Sequence, residues 1–316
     1  MKKTSIKPIH VLEEPIILLA PRFIKDYFGG LPSSEYDHTL VALREQFDAI
    51  SEMGYQVKVL GLKNSVEATS CISDLCDDLE DIRPGSVLPL SFQRIDTLKS
   101  ILWPRDIFTV LDGVVYCNPK IMDVAEEIFH ELGIHGSYDF VSSFLGEGGL
   151  LAGNGQVRLV SEYIRESDMD ILKERGYSVE ILPVPDKSEH SVLALRMNNQ
   201  HIDTEVNAVQ NSSDELLVLA NGLYEETYPE SIEKLRERSN TQVFVQDPEL
   251  IYGFQKEINF PMFPNGEVLL VHRAEGVKDF LEQHLPSGHI HQLTLEWSYG
   301  VSGQDRGLRC MTNEIV

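Results

Sequence analysis

Apolar residues in this chain fall into short runs and helical spacings that alternate from one end to the other. Ile16 to Ala20 is an unbroken apolar run closed by Pro21, as a buried strand is. From Asp26 to Asp37 the glycines, proline and serines predict a loop. Leu40, Leu43, Phe47, Ile50 and Met53 then recur at a helical interval that Gly54 ends. Gln56 to Leu60 alternates as a strand, Val66 to Leu79 makes a helix with an acidic wet face, and Ser86 to Leu90 is extended. Ile107 to Leu111 and Val114 to Cys117 flank Asp112-Gly113, a strong hairpin signal. The second half repeats the habit. Helices are predicted over Val124 to Leu132, Asp168 to Arg175, Ser231 to Arg238 and Val277 to His284. Strands are predicted over Gln156 to Val160, Ser178 to Leu182, Leu193 to Leu195, Val206 to Val209, Leu216 to Ala220, Gln242 to Val245, Val268 to Val271 and His289 to Leu295.

The strand–helix–strand unit recurs roughly five times if each takes about sixty residues, with no linker or low-complexity tract between units. That predicts one α/β domain spanning 1–316. A doubly wound sheet or an eight-fold barrel would alternate in the same way, so periodicity alone leaves the architecture open. No P-loop or G-x-G-x-x-G turn is present, and the nearest match, Gly146-Glu147-Gly148-Gly149, places a glutamate where a phosphate would be repelled.

Charge narrows the partners. Fifty acidic side chains against 27 basic ones leave a net charge of −23, which repels nucleic acid and anionic membranes and favours a small cation. Four scattered cysteines make no disulfide framework, and the five-residue step from Cys71 to Cys76 is a poor zinc spacing. The histidines at 190, 272, 284, 289 and 291 form no convincing ligand set, so no metal is expected. The apolar run after Lys2, Lys3 and Lys7 is too short for a signal segment, and no run reaches membrane-spanning length. A cytoplasmic protein with its whole chain in the fold is the expectation.

Four short stretches carry chemistry. Cys310 follows Arg309, with Arg306 four residues back, and neighbouring positive charge favours the reactive thiolate. By itself it reads better as a buried structural cysteine, and its place near the carboxyl end suggests that damage there stays local. In Trp103-Pro104-Arg105-Asp106 the proline fixes the backbone before a charged pair. That pair reads as a surface ion pair, or as Asp106 aimed into a cavity with Arg105 as its anchor. Glu147, set among glycines, could approach a ligand closely or be a solvated turn residue. His201 and Asp203 would share one face of a strand, where the aspartate can set the histidine tautomer. A cysteine, a histidine and carboxylates in such turns are the parts of a nucleophilic-cysteine site.

In the order W-P-R-D, E-G-G, H-x-D-T and R-C-M-T, the sequence resembles the guanidine-modifying superfamily, which includes arginine deiminases, dimethylarginine dimethylaminohydrolases, agmatine deiminases and amidinotransferases. The motifs span 103 to 312, and Glu35-Tyr36-Asp37-His38 resembles the family's N-terminal module. The resemblance implies a five-bladed pseudo-symmetric α/β propeller, the pentein fold, with the site at one end of the axis. It implies catalytic roles for Cys310, His201, Glu147 and Asp203, and substrate binding by Asp106, Arg105, Arg165, Arg306 and Arg309. It implies no metal and no organic cofactor, a small cationic guanidine as the partner, and allows a homodimer. The chain is too short for the inserted helical domain of arginine deiminases, and Arg306 to Cys310 is one residue shorter than their R-G-G-x-R-C tail. The expected activity is hydrolysis of an arginine-type or N-methylated guanidine through a thiouronium. The alternatives are an amidinotransferase, a cysteine peptidase using Cys310 and His201, and a non-catalytic binding protein of the same fold.

Overall fold

Five small sheets follow one plan in the computed structural model, which describes residues 12, 14–21, 33–62, 70–91, 103–153, 155–185, 193, 201–247, 257–271, 274–294, 309 and 312–316, with backbone alone for 33–38 and 70–73. The plan is clearest in the second sheet. β4 (Phe108–Leu111) pairs antiparallel with β5 (Val114–Cys117), α3 (Met122–Glu131) crosses over, and β6 (Asp139–Ser142) returns parallel to β5. The third sheet repeats it with β7 (Leu151–Ala152), β8 (Val157–Ser161), α4 (Glu166–Glu174) and β9 (Ser178–Leu182). The fourth uses β10 (Val206–Gln210), β11 (Leu216–Asn221), α5 (Gly222–Thr227), α6 (Pro229–Glu237) and β12 (Thr241–Gln246). In the fifth, Met262 bridges antiparallel to Val268 of β13 (Val268–Leu270), then α7 (Glu275–Glu282) leads to β14 (Ile290–Gln292), parallel to β13.

The first sheet completes the set by joining the two ends of the chain. β15 (Thr312–Ile315) pairs antiparallel with β1 (Ile16–Leu19), then α1 (Ser33–Glu52) leads to the parallel β2 (Gln56–Leu62). A further helix, α2 (Ser70–Ile82), adds the parallel β3 (Val87–Leu90). Five antiparallel–helix–parallel units make the protein a five-bladed α/β propeller. The tail beyond Cys310 is therefore a structural strand, with Thr312, Asn313 and Ile315 buried. Changes there would not stay local, as the terminal position had suggested.

Local chemistry explains most elements. Asp112 and Gly113 adopt φ of 49° and 73°, the left-handed pair that lets a two-residue turn match the twist of β4 and β5. β4, β10 and β11 are buried almost throughout, so they read as apolar runs rather than alternations. Helices cover the sheets with one face each; α3 buries Val124, Ala125, Ile128 and Phe129 at helical spacing. The Phe129 ring meets Phe108, Tyr138 and Phe140 edge-on at 5.0–5.2 Å. Cys76 is core packing on α2, and burial pushes its thiol up to about 12.

Two local expectations are corrected, at the start of α1 and at Leu193. α1 begins at Ser33, four residues inside the stretch read as loop. Asn221-Gly222 opens a helix, because the Asn221 Oδ1 accepts the Leu223 N–H and caps α5. Leu193 is helical where an extended segment was expected, and 194–195 lie outside the described residues.

Before the inner strands of three blades stands a single 3-10 turn: Pro104–Asp106, Gly148–Leu150 and Ile202–Thr204. The Gly148–Leu150 turn contacts each of the other two, which brings the W-P-R-D, E-G-G and H-x-D-T motifs together. Two asparagines fasten inner strands to the next blade. Asn313 Nδ2 donates to the carbonyls of Pro104 and Phe108 at 2.9 and 3.0 Å, and Asn207 Nδ2 donates to those of Ile258 and Phe260 at 2.9 and 3.1 Å. Asn313→Ala should lower stability by about 1–3 kcal/mol for each buried carbonyl left without a donor. An unchanged urea midpoint and slope in that variant would show that the asparagine does not hold the first blade to the second.

Candidate active site

Trp103, Glu147 and His201 occupy equivalent positions, each immediately before a 3-10 turn. The equivalence accounts for the meeting of Glu147 and His201 across 54 residues of sequence: His201 Nε2 lies 3.3 Å from Glu147 Oε1. With its proton on Nε2 the imidazole donates to the carboxylate. His201 is buried, whereas the Glu147 side chain keeps 20% of its surface exposed, so the pair stands at the edge of the solvent.

The glycines of the E-G-G turn are needed for packing between blades. A Cβ on Gly149 would sit 2.2 Å from His201 Nδ1, and one on Gly148 would sit 2.4 Å from the Arg105 carbonyl. The turn was expected to leave room for a ligand; in the fold that room is filled by the imidazole on one side and by Arg105 on the other.

His201 and Asp203 do not share a strand face. They lie at the start and in the middle of the turn Ile202–Thr204, and the Thr204 hydroxyl donates to the His201 carbonyl at 2.9 Å. Asp203 is completely buried, and neither of its carboxylate oxygens accepts a hydrogen bond among the described residues. Arg309 Nε stands 3.6 Å from Asp203 Oδ2, close enough for an ion pair and too far for a hydrogen bond. Burial pushes the Asp203 carboxyl above its ordinary value, Arg309 and His201 pull it back, and the charge of Asp106 pushes with burial.

Both terminal nitrogens of the Arg309 guanidinium are held. Nη1 donates to Asn207 Oδ1 at 2.7 Å and Nη2 to the Leu151 carbonyl at 3.2 Å, while its backbone N–H donates to the Asn259 carbonyl. Asn259 Nδ2 in turn donates to the Asp203 carbonyl at 2.6 Å. Arg105 is also buried, 3.8 Å from Glu314 of β15, so the surface pair with Asp106 suggested by the sequence does not form. Asp106 is half-buried, and its carbonyl accepts from Asn118 Nδ2. Arg165 is exposed, with its guanidinium 3.7 Å over the ring of Phe144, three residues before Glu147. Cys310 and Arg306 lie outside the described residues; Arg309 and Thr312, on either side of the cysteine, are both buried.

Asn207, Asn259 and Asn313 went unnoticed in the sequence. A faint signal was there: Asn207 and Asn313 each follow the axial residue of their blade, Asp203 or Arg309, by four positions.

Glu257, bonded to Gln246 Nε2, has its pKa raised to about 7 by burial and by Glu275. The folded carboxyl therefore holds its proton from about 4.5 up to about 7, where an unfolded glutamate has lost it. This contribution to stability is complete below that window and is lost as the pH rises through it. Glu257→Gln should flatten that part of the stability–pH profile, and chemical denaturation from pH 4.5 to 7.5 would show an unaltered slope if the assignment is wrong.

No family model and no curated protein matches the sequence. Solved structures do match. DDAH from Pseudomonas aeruginosa, a cysteine-to-serine variant complexed with citrulline, aligns at a TM-score of 0.50 and 12% identity, over 95% of this chain and 98% of that one. The N-terminal domain of ArgZ, an arginine dihydrolase of cyanobacteria, bound to product, aligns at 0.54 and 12%, over 96% and 98%. The same domain covalently bonded to a reaction intermediate aligns at 0.53 and 11%, over 96% and 98%. At such identities the likeness is one of architecture, and it spans almost the whole of each chain, so that what five repeated sheets and a closing tail strand describe is the pentein fold, the α/β propeller of the guanidine-modifying enzymes.

Proposed function

We propose that this protein hydrolyses a small guanidine of the arginine or N-methylated arginine type, with Cys310 as nucleophile. The observation that carries the reading is the axial group itself: a buried histidine 3.3 Å from one carboxylate, beside a second, fully buried carboxylate that accepts no hydrogen bond among the described residues. A guanidinium is a planar cation edged with N–H donors, and carboxylates are the acceptors it needs. The net charge of −23 supports a cationic ligand, and the motif order that ends in Arg309-Cys310 supports the nucleophile.

The chemistry follows from those parts. Asp106, Glu147 and Asp203 orient the guanidinium and keep its charge on the carbon that is to be attacked. The Cys310 thiolate adds to that carbon. His201, protonated at this stage, gives its proton to the departing nitrogen, so that ammonia or an alkylamine leaves and a covalent thiouronium remains. Neutral His201 then takes a proton from water as the water attacks. Collapse of that adduct expels the thiolate and releases a ureido product. Arg309 belongs to the scaffold of this site: its guanidinium is occupied by Asn207, Leu151 and Asp203. Arg165, exposed and steadied on Phe144, and Arg306 are the remaining candidates for a substrate α-carboxylate.

Purified protein should release ammonia or methylamine, together with a ureido product, from arginine or methylarginines faster than from agmatine. Product formed only when glycine or an ornithine-like amine is added would make the protein an amidinotransferase instead. Cys310→Ser should abolish turnover, and residual activity near that of the wild type would end the covalent proposal. Asp106→Asn and Glu147→Gln should each lose about 1.5–3 kcal/mol of binding and turnover together, the value of one hydrogen bond to a charged group. Gly149→Ala, which forces a methyl group against His201, should lower kcat by about 10²-fold with a smaller change in KM; kcat equal to that of the wild type would show that the imidazole need not lie where it does.

A further inference from the structure

Along the axis, past the turns and among the inner strands, lies a second polar feature. Ile17, Gly153, Phe263, Asn313 and Glu314 wall a cavity of about 20 Å³ that Arg105 and Arg309 also line. Gly153 follows β7, and Asn313 and Glu314 belong to β15, while Arg105 also packs against Gly148 of the E-G-G turn. Arg105 is nine-tenths buried here. Its Nε makes no hydrogen bond among the described residues, and its ion pair with Glu314 spans 3.8 Å.

A third arginine stands behind these two. Arg158 Nη1 donates to the carbonyl of Gly153, and its guanidinium lies 4.8 Å over the Tyr177 ring. Burial lowers the Arg158 pKa, the charge of Arg105 lowers it further, and Glu314 opposes them. Three guanidiniums therefore gather with three carboxylates: Asp203 on Arg309, Glu314 on Arg105, and Asp106, whose charge reaches Asp203. In a chain of net charge −23 this is a local concentration of cationic groups, and buried charge is costly unless it is neutralised.

We propose that this cavity is a halide site, in which Arg105 holds a monatomic anion such as chloride. The volume admits one or two water-sized occupants, which suits a monatomic anion better than a larger one. A spherical anion also accepts N–H donors without a fixed direction, which suits the Arg105 Nε, whose hydrogen is not accepted by any of the described residues.

The test compares the melting temperature in sodium chloride with that in sodium gluconate at equal ionic strength, for the wild type, Arg105→Gln and Glu314→Gln. Crystals soaked in sodium bromide would locate the ion by anomalous scattering. Chloride should stabilise the wild type in proportion to the logarithm of its concentration above the dissociation constant. Arg105→Gln should lose that dependence, and Glu314→Gln, freed of the opposing carboxylate, should bind at least about tenfold more tightly, which is about 1.4 kcal/mol. If Arg105→Gln does not fold, Glu314→Gln decides alone, because chloride dependence no stronger than that of the wild type overturns the proposal. Equal dependence in all three proteins, or bromide found only on the outer surface, overturns it as well.

Discussion

The burial of Arg309 at the centre of the molecule is the constraint on which the rest depends. A guanidinium removed from water must have its N–H groups met by acceptors, or the fold loses several kcal/mol. Here the acceptors come from different blades: the Leu151 carbonyl at the head of the third sheet, and Asn207 and Asp203 in the fourth. Its backbone N–H reaches Asn259 in the fifth, and its own chain runs on into β15, which closes the first. One residue thus joins four blades, and one of its partners, Asp203, belongs to the chemical motifs.

The same economy governs the E-G-G turn. Glycine is required at 148 and 149 because neighbouring blades approach within the volume of a methyl group. This closeness puts the His201 ring against the third blade and brings its Nε2 to Glu147. The carboxylate–histidine pair is therefore a product of the way two blades pack, and its geometry is set by backbone contacts that tolerate little movement.

Asp203 illustrates the cost of such a site. Full burial favours its neutral form, whereas Arg309 and His201 favour the charged one. A carboxylate balanced in this way, accepting no hydrogen bond among the described residues, is poorly matched to an apolar interior and well matched to a cation bearing N–H groups. Stability and the proposed binding draw on the same buried charge in opposite directions, as functional sites often do.

Much of this was legible in the sequence. The apolar runs of β1, β4, β10 and β11, the Asp112-Gly113 hairpin, and the faces of α3 and α7 follow from side-chain periodicity and turn chemistry, which act over a few residues. The order of the four motifs pointed to the architecture and to His201, Glu147 and Asp203. Other features could not be read from it. That Glu147 and His201 touch depends on two turns being equivalent across blades, and nothing in the residues between them encodes that contact. Arg105 and Arg309 read as charged residues free for the surface or for a ligand, and only the meeting of the blades placed them inside, facing Glu314 and Asn207. The final strand looked like a loose tail because Thr312–Ile315 is short and mixed in polarity; it becomes a buried strand when β1, nearly three hundred residues earlier, supplies its partner. Local propensity is decided by neighbours in sequence, whereas the burial of a charge is decided by neighbours in space, which only the closed propeller brings together.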